Sequence, residues 1–195
     1  MSNCRAAVFL DRDGVLIEDR DLLIDPREIR ILAGVPAALV RLKQAGFLLL
    51  VASNQAVVAR GLISEAQLEA VHAEMCRLLC QQGAPPLDAI YYCPHHPQAT
   101  LPEYRIECQC RKPRGGILRR AAAEHDLSLA DSFMVGDRLT DIAAGASAGC
   151  RTVLLETGQH QAPPIVTLEP LAESLRPDHT CRDLPAAVDW ILEVR

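Results

Sequence analysis

Short apolar runs recur along the chain at Ala7 to Leu10, Phe47 to Ala52, Ala89 to Tyr92, Phe133 to Val135 and Thr152 to Leu155. They are continuous rather than alternating, so they read as short strands buried on both faces. Helical spacing fills the intervals at Val35 to Gln44, Ser64 to Gln82, Gly116 to His125 and Asp141 to Ala148, with a last helix near Leu184 to Glu193. Ser64-Glu65-Ala66-Gln67 fits a capping box, and Gly46 and Gly149 fit helix C-caps. Strand and helix in alternation predict a parallel α/β sheet with right-handed crossovers. The Pro-rich stretch from Gln159 to Pro177 reads as a surface loop, and the whole 1–195 as a single domain.

Ligands of such a sheet collect beyond the carboxyl ends of its strands, so those ends are where the chemistry is expected. The first strand runs into Asp11-Arg12-Asp13-Gly14, the second into Ser53-Asn54-Gln55, and the fourth into Gly136-Asp137-Arg138 with Asp141 beyond. An isolated Asp-x-Asp is as often a turn or helix cap as a site. Here two further strand ends carry matching polarity. Converging carboxylates repel, and a hard divalent ion such as Mg²⁺ removes the conflict while leaving coordination positions for a phosphate oxygen. A carboxylate held there opposite a hydroxyl and a lysine can attack phosphorus.

Composition narrows the partners. Twenty basic against 25 acidic residues give a formal charge of −5, which disfavours a general nucleic-acid surface. No apolar stretch is long enough to span a membrane, and the first apolar run is too short for a secretion signal. A cytoplasmic location with reduced thiols is therefore expected for the eight cysteines. Only Lys43 and Lys112 are lysine, so a chain that uses arginine elsewhere keeps a compact point charge at 112.

Three of the cysteines sit with histidine at ligand spacing. Cys93-Pro94-His95-His96 is followed, after twelve intervening residues from His95, by Cys108-Gln109-Cys110. Three thiolates and an imidazole in two close pairs suit a closed, structural Zn²⁺ site, with His95 or His96 as the imidazole. The loop 93–110 ends directly at Arg111-Lys112. Cys4, Cys76, Cys80, Cys150 and Cys181 are left as buried thiols, although Cys76 and Cys80, four apart on a helix, also have the spacing of half a metal site. His72 and His125 fall on helices and His160 and His179 in loops, without partners at ligand spacing.

Asp11-Arg12-Asp13-Gly14-Val15, Ser53, Lys112 and Gly136-Asp137-Arg138-Leu139-Thr140-Asp141 resemble, in order, the four motifs of the haloacid dehalogenase (HAD) superfamily of phosphatases. The resemblance implies a Rossmann-like fold, a parallel sheet flanked by helices, with no large cap domain beside the zinc-binding loop. It implies Asp11 as nucleophile and Asp13 as general acid and then base, with Ser53 and Lys112 holding the phosphoryl group. Mg²⁺ would sit on Asp11, Asp137 and the backbone carbonyl of Asp13. Asp141 would either support that site or cap the following helix.

The zinc loop, with Asn54-Gln55 and Ala59-Arg60-Gly61, is similar to that of the D-glycero-D-manno-heptose 1,7-bisphosphate phosphatases. Matching His95 and Cys93, Cys108 and Cys110 to that pattern favours His95 over His96. Implied substrate contacts are Arg12, Asp19, Arg20, Asn54, Gln55 and Arg111, with Arg60 either a second cation for a bisphosphate or a helix-entry salt-bridge residue. The implied partner is a small sugar bisphosphate, with no nucleic acid and no membrane, handled by a monomer. Two departures stand out: Ala56-Val57 where the family usually shows Ser-Gly, and Arg20-Asp21-Leu22 where it often shows His-Gly-Tyr. Histidinol-phosphate phosphatases share the four motifs and are the nearest alternative; a zinc-stabilised binding module without catalysis is a more distant one.

Overall fold

The computed structural model describes residues 5–20, 22–158 and 176–195. Among the described residues six strands form one parallel sheet in the order β3-β2-β1-β4-β5-β6. They are β1 (Ala7–Leu10), β2 (Leu48–Asn54), β3 (Ala89–Cys93), β4 (Phe133–Gly136), β5 (Arg151–Leu155) and β6 (His179–Cys181). The order reverses at β1, which lies between β2 and β4, and this is the crevice where ligands bind in open α/β sheets.

The helices are α1 (Val35–Gln44), α2 (Ala56–Ala59), α3 (Glu65–Gln81), α4 (Gly116–His125), α5 (Leu139–Ala148) and α6 (Leu184–Val194). Successive strand side chains point to opposite faces, so β1 sends Val8 and Leu10 one way and Ala7 and Phe9 the other. On the first face Leu39 and Leu42 of α1, Met75 of α3 and Ile191 of α6 close the core. On the second, Ile117 and Ala121 of α4 and Ala144 of α5 do so. Each fully buried Leu, Ile or Phe contributes roughly 1.5–3 kcal/mol by leaving water. The central strands are thus clamped from both sides, and their carboxyl ends are rigid platforms.

Ser64 caps α3 by accepting from the Gln67 amide, and the Gln67 side chain accepts from the Ser64 amide, as its sequence predicts. Three elements differ from expectation, among them the short helix α2, whose Ala56-Val57 reads as part of a turn. His179-Thr180-Cys181 pairs with β5 as a sixth, edge strand rather than lying in a loop. Its half-exposed residues carry no apolar run, and its pairing comes from the neighbouring strand. Helix α5 begins two residues earlier than its apolar spacing suggests, at Leu139, because the Asp141 carboxylate accepts from the Arg138 amide across the first turn. Most of the Pro-rich stretch, with His160, lies outside the described residues, as do Cys4 and Asp21. Of the remaining described thiols Cys150 is buried, Cys76 and Cys181 are only half-buried, and Cys80 is exposed rather than buried: its position on α3 faces away from the core.

Candidate active site

A cavity of about 460 Å³ opens beyond the carboxyl ends of β1, β2 and β4. Asp11 and Asp13 reach it from β1, Ser53 and Gln55 from β2, Asp141 from α5, and Lys112 from the loop that follows β3. Asp137 is fully buried directly behind β4.

Lys112 is only 2% exposed. Its Nζ lies 2.6 Å from Asp141 Oδ1 and 3.1 Å from Asp11 Oδ1, and donates to the Ala52 carbonyl at 2.7 Å. Burial by itself pushes this ammonium down, but Asp11 and Asp141 outweigh burial and hold it above the ordinary lysine value. Asp141 is pushed up, by burial first and by Asp11 in addition, against the pull of Lys112. Oxygens of Asp11, Asp137 and Asp141 lie within 4.8 Å of one another, all buried. Three carboxylates facing one ammonium leave two negative charges in a desolvated site, which one divalent cation neutralises. The donor set, all hard oxygen, suits Mg²⁺. Asp141 Oδ2 caps α5, one of its two readings, while Oδ1 faces Lys112.

Gly14 makes this packing possible. Its φ is +74°, and a Cβ there would stand 2.5 Å from Asp137 Oδ2, so only glycine lets the β1 turn lie against that carboxylate. Thr157, in the turn after β5, donates its hydroxyl to the Gly14 carbonyl, and Gly158 packs onto Asp137. Neither residue was expected at the site. The rule that pointed to the ends of the first, second and fourth strands points equally to the end of the fifth.

The residues read as substrate contacts divide. Asp19, Asn54, Gln55, Arg60 and Arg111 line the cavity. Arg12 and Arg20 do not. Arg20 pairs with Glu18 at 3.1 Å on the surface. Arg12 is 1% exposed and turned inward, with Nε and Nη2 of its guanidinium committed to the neighbouring Asp13 carboxylate. Asn54 uses both ends of its amide on one residue, donating to the Lys112 carbonyl and accepting from the Lys112 amide, each at 3.0 Å. It is therefore a clasp for the lysine backbone. Asp19 pairs with Arg138 at 2.9 Å, which brings into the lining an arginine the motif reading had not singled out. Arg60 makes no ion pair among the described residues, which removes its salt-bridge reading. With Arg111 it depresses the His96 imidazole, after burial, and it adds to the burial that lowers Arg111. Two like charges at one end of a cavity are a place for an anion.

At the outer edge of β3, Cys93, His95, Cys108 and Cys110 converge. Their sulfurs are 3.2 to 3.4 Å apart, and His95 Nδ1 stands 3.4 Å from Cys110 Sγ and 3.7 Å from Cys93 Sγ. A tetrahedral Zn²⁺ with bonds near 2.3 Å has edges of about 3.8 Å, so the four donors are gathered to nearly that size. His96 is not among them; its Nδ1 accepts from the Gln98 amide, and the ring faces the cavity. Cys110 is brought down to about 5, first by Cys93 and then by Cys108 and His95, so the cluster favours a thiolate there. Arg111 donates to the His95 carbonyl at 2.9 Å, and the Gln55 amide to the Cys93 carbonyl at 2.8 Å. The cluster is thereby tied to both walls of the cavity.

Over residues 109–187 the chain matches the HAD-hydrolase-like family, the class to which both the sheet order and the carboxylate cluster answer. A D-glycero-beta-D-manno-heptose-1,7-bisphosphate 7-phosphatase of Photorhabdus laumondii is 38% identical over 186 residues, 95% of this chain and 96% of that protein. The protein of the same name in Escherichia coli K12 is 40% identical over 164 residues, 84% of this chain and 85% of its own. The crystal structure of D,D-heptose 1,7-bisphosphate phosphatase from B. bronchiseptica, complexed with magnesium and phosphate, aligns with a TM-score of 0.80 at 37% identity, covering 97% of this chain and 99% of that one. The chain belongs to the D-glycero-D-manno-heptose-1,7-bisphosphate 7-phosphatase family of HAD-like hydrolases.

Proposed function

We propose that this protein removes the 7-phosphate of D-glycero-D-manno-heptose 1,7-bisphosphate, with Asp11 as nucleophile and Mg²⁺ as cofactor. The observation that carries the reading is the buried set of Asp11, Asp137 and Asp141 around Lys112, beside a cavity that Arg60 and Arg111 also line. Asp11, Asp137 and the Asp13 backbone carbonyl would hold Mg²⁺, supported by Asp141, and the ion would supply charge neutralisation for the incoming phosphoryl oxygens.

Lys112 and the Ser53 hydroxyl bind the phosphoryl oxygens and orient phosphorus toward Asp11. An Asp11 carboxylate oxygen forms a bond to phosphorus as the bond to the sugar oxygen breaks. The electron pair goes to that oxygen, which takes the proton of the Asp13 carboxyl and departs as an alcohol. Water then attacks the aspartyl-phosphate, giving its proton to the Asp13 carboxylate. The Asp11–phosphorus bond breaks, its pair returns to the carboxylate, and inorganic phosphate leaves. Arg60 and Arg111 grip the phosphate that is retained.

The Cys93, His95, Cys108 and Cys110 cluster would carry a structural Zn²⁺, since all four positions are protein donors and none is left for substrate. We infer that the chain acts as a single-domain monomer in the cytoplasm. Among the described residues no helix is long and apolar enough to cross a membrane. The test is phosphate release with Mg²⁺ from both anomers of heptose 1,7-bisphosphate and from histidinol phosphate. Release of one phosphate per bisphosphate, faster than from histidinol phosphate, is expected; a preference for histidinol phosphate overturns the substrate assignment, and silence on all three overturns the enzyme.

A further inference from the structure

Arg12, which the motif reading placed on the substrate, has another task in this fold. It is nearly sealed from solvent at 1% exposure, and its guanidinium makes three hydrogen bonds to the adjacent Asp13 carboxylate: Nε to Oδ2 at 3.1 Å, and Nη2 to Oδ1 and Oδ2 at 2.9 Å each. From the other side the Gln55 amide, itself buried, donates to the same Oδ2 at 2.9 Å and to the Ser53 hydroxyl at 2.9 Å. The two oxygens of Asp13 are therefore unequal. Oδ2 accepts from three donors, whereas Oδ1 accepts from one. A carboxylate oxygen offers about two lone-pair sites, so Oδ2 is filled and Oδ1 keeps one. Arg12 is buried while Asp13 is partly open to the cavity, so a fixed guanidinium and the Gln55 amide hold a carboxylate that reaches the substrate side.

We infer that Arg12 is a positioning residue that, with Gln55, saturates Asp13 Oδ2 and assigns Oδ1 as the oxygen that exchanges the proton with the leaving group and then with water. This rests on the reading of Asp13 as proton donor. Arg12 does not line the cavity and acts through Asp13, with a single Nη2 bond to Oδ1 that leaves that oxygen's other lone pair open. Its planar fork, rather than its charge alone, does the orienting, so lysine does not replace it.

The test compares two esters in Mg²⁺ buffer: heptose 1,7-bisphosphate, whose alkoxide needs a proton, and para-nitrophenyl phosphate, whose phenolate leaves without one. The parameter is kcat/KM, which reports steps up to transfer onto Asp11 and not the shared hydrolysis that follows. Arg12→Lys keeps the buried charge and should fold; Arg12→Met is made beside it, and thermal melts confirm folding. General acid catalysis contributes about 10²–10⁴-fold, so loss of orientation should lower kcat/KM on the sugar ester about 30-fold or more and on the aryl ester by less than about threefold. Equal losses on the two esters, or no loss on either, overturn the inference. Asp13→Asn is the control: if it too lowers both esters equally, Asp13 is not the proton donor and the underlying reading fails. If Asp13→Asn is selective and Arg12→Lys is not, only the role of Arg12 fails.

Discussion

Replacing Lys112 by Met removes the only ammonium from a site that holds three carboxylates, while nearly keeping the volume of the side chain. At an effective dielectric of about 20, contacts of 2.6 and 3.1 Å are each worth roughly 5–6 kcal/mol of gross Coulomb attraction, most of it offset by the desolvation of the buried groups. What remains after one partner of a buried pair is deleted is a penalty of about 3–5 kcal/mol. For a chain of this size that corresponds to a fall in Tm of roughly 6–20 °C. The loss should depend on metal, because a divalent cation supplies the missing positive charge. In EDTA the Lys112→Met protein should melt far below the wild type. With Mg²⁺ at about 100 times its Kd each protein gains roughly 2.7 kcal/mol, and tighter binding to the more negative site should narrow the gap further. Activity should stay depressed by about 10²–10³-fold with Mg²⁺ present, because the contact to the phosphoryl oxygens is still missing. Thermal melts in EDTA and in MgCl₂, run beside phosphate release, read both effects. A variant as stable as the wild type in EDTA would refute the charge argument for the whole cluster.

Asp11→Asn should abolish turnover while leaving the fold and the zinc content intact, and phosphate release at the wild-type rate would remove Asp11 as nucleophile. Cys108→Ser should lower bound zinc and Tm together; elemental analysis that finds no zinc in the unaltered protein would dismiss the cluster as a zinc site. His72 is buried with no hydrogen-bond partner on either ring nitrogen, and burial first, then the charge of Arg12, bring it from 6.5 to about 4. The unfolded chain therefore binds this proton first, so the stability contributed by neutral His72 is complete above pH 6.5 and is lost as the pH falls toward 4. Between pH 7 and 4.5 the wild type should lose roughly 2–3 kcal/mol more than His72→Leu in urea unfolding; parallel losses would show that folded His72 takes up its proton as readily as the unfolded chain does.

Five of the six strands were legible because burial on both faces writes itself as an unbroken apolar run. The sixth, His179–Cys181, is an edge strand whose three residues are half-exposed or exposed, so its pairing comes from its neighbour and not from its own hydrophobicity. The four-residue helix α2 is too short to show a period, and Ala56-Val57 reads instead as part of a turn. At the site, residue types and their strand-end placement were enough to gather Asp11, Ser53 and Asp137, whereas Lys112, in a loop, was legible only from the order of the motifs and the scarcity of lysine. Where each side chain spends its hydrogen bonds was not legible. Arg12 and Asn54 carry the same polar groups whether they face a substrate or a neighbour, and the choice was made by burial against Asp13 and by the approach of the Lys112 backbone.

The loop that carries the cysteine cluster is latched at both of its ends: the Cys93 carbonyl to the Gln55 amide, and the Lys112 backbone to Asn54. Between those latches, His96, Pro97 and Gln98 face the cavity, while Lys112 is set by bonds that none of the three makes. Chain length and side chains in that interval can therefore change without moving Lys112. Such an arrangement separates the residues that set Lys112 from one stretch of the cavity wall: a replaceable faceplate over a fixed engine.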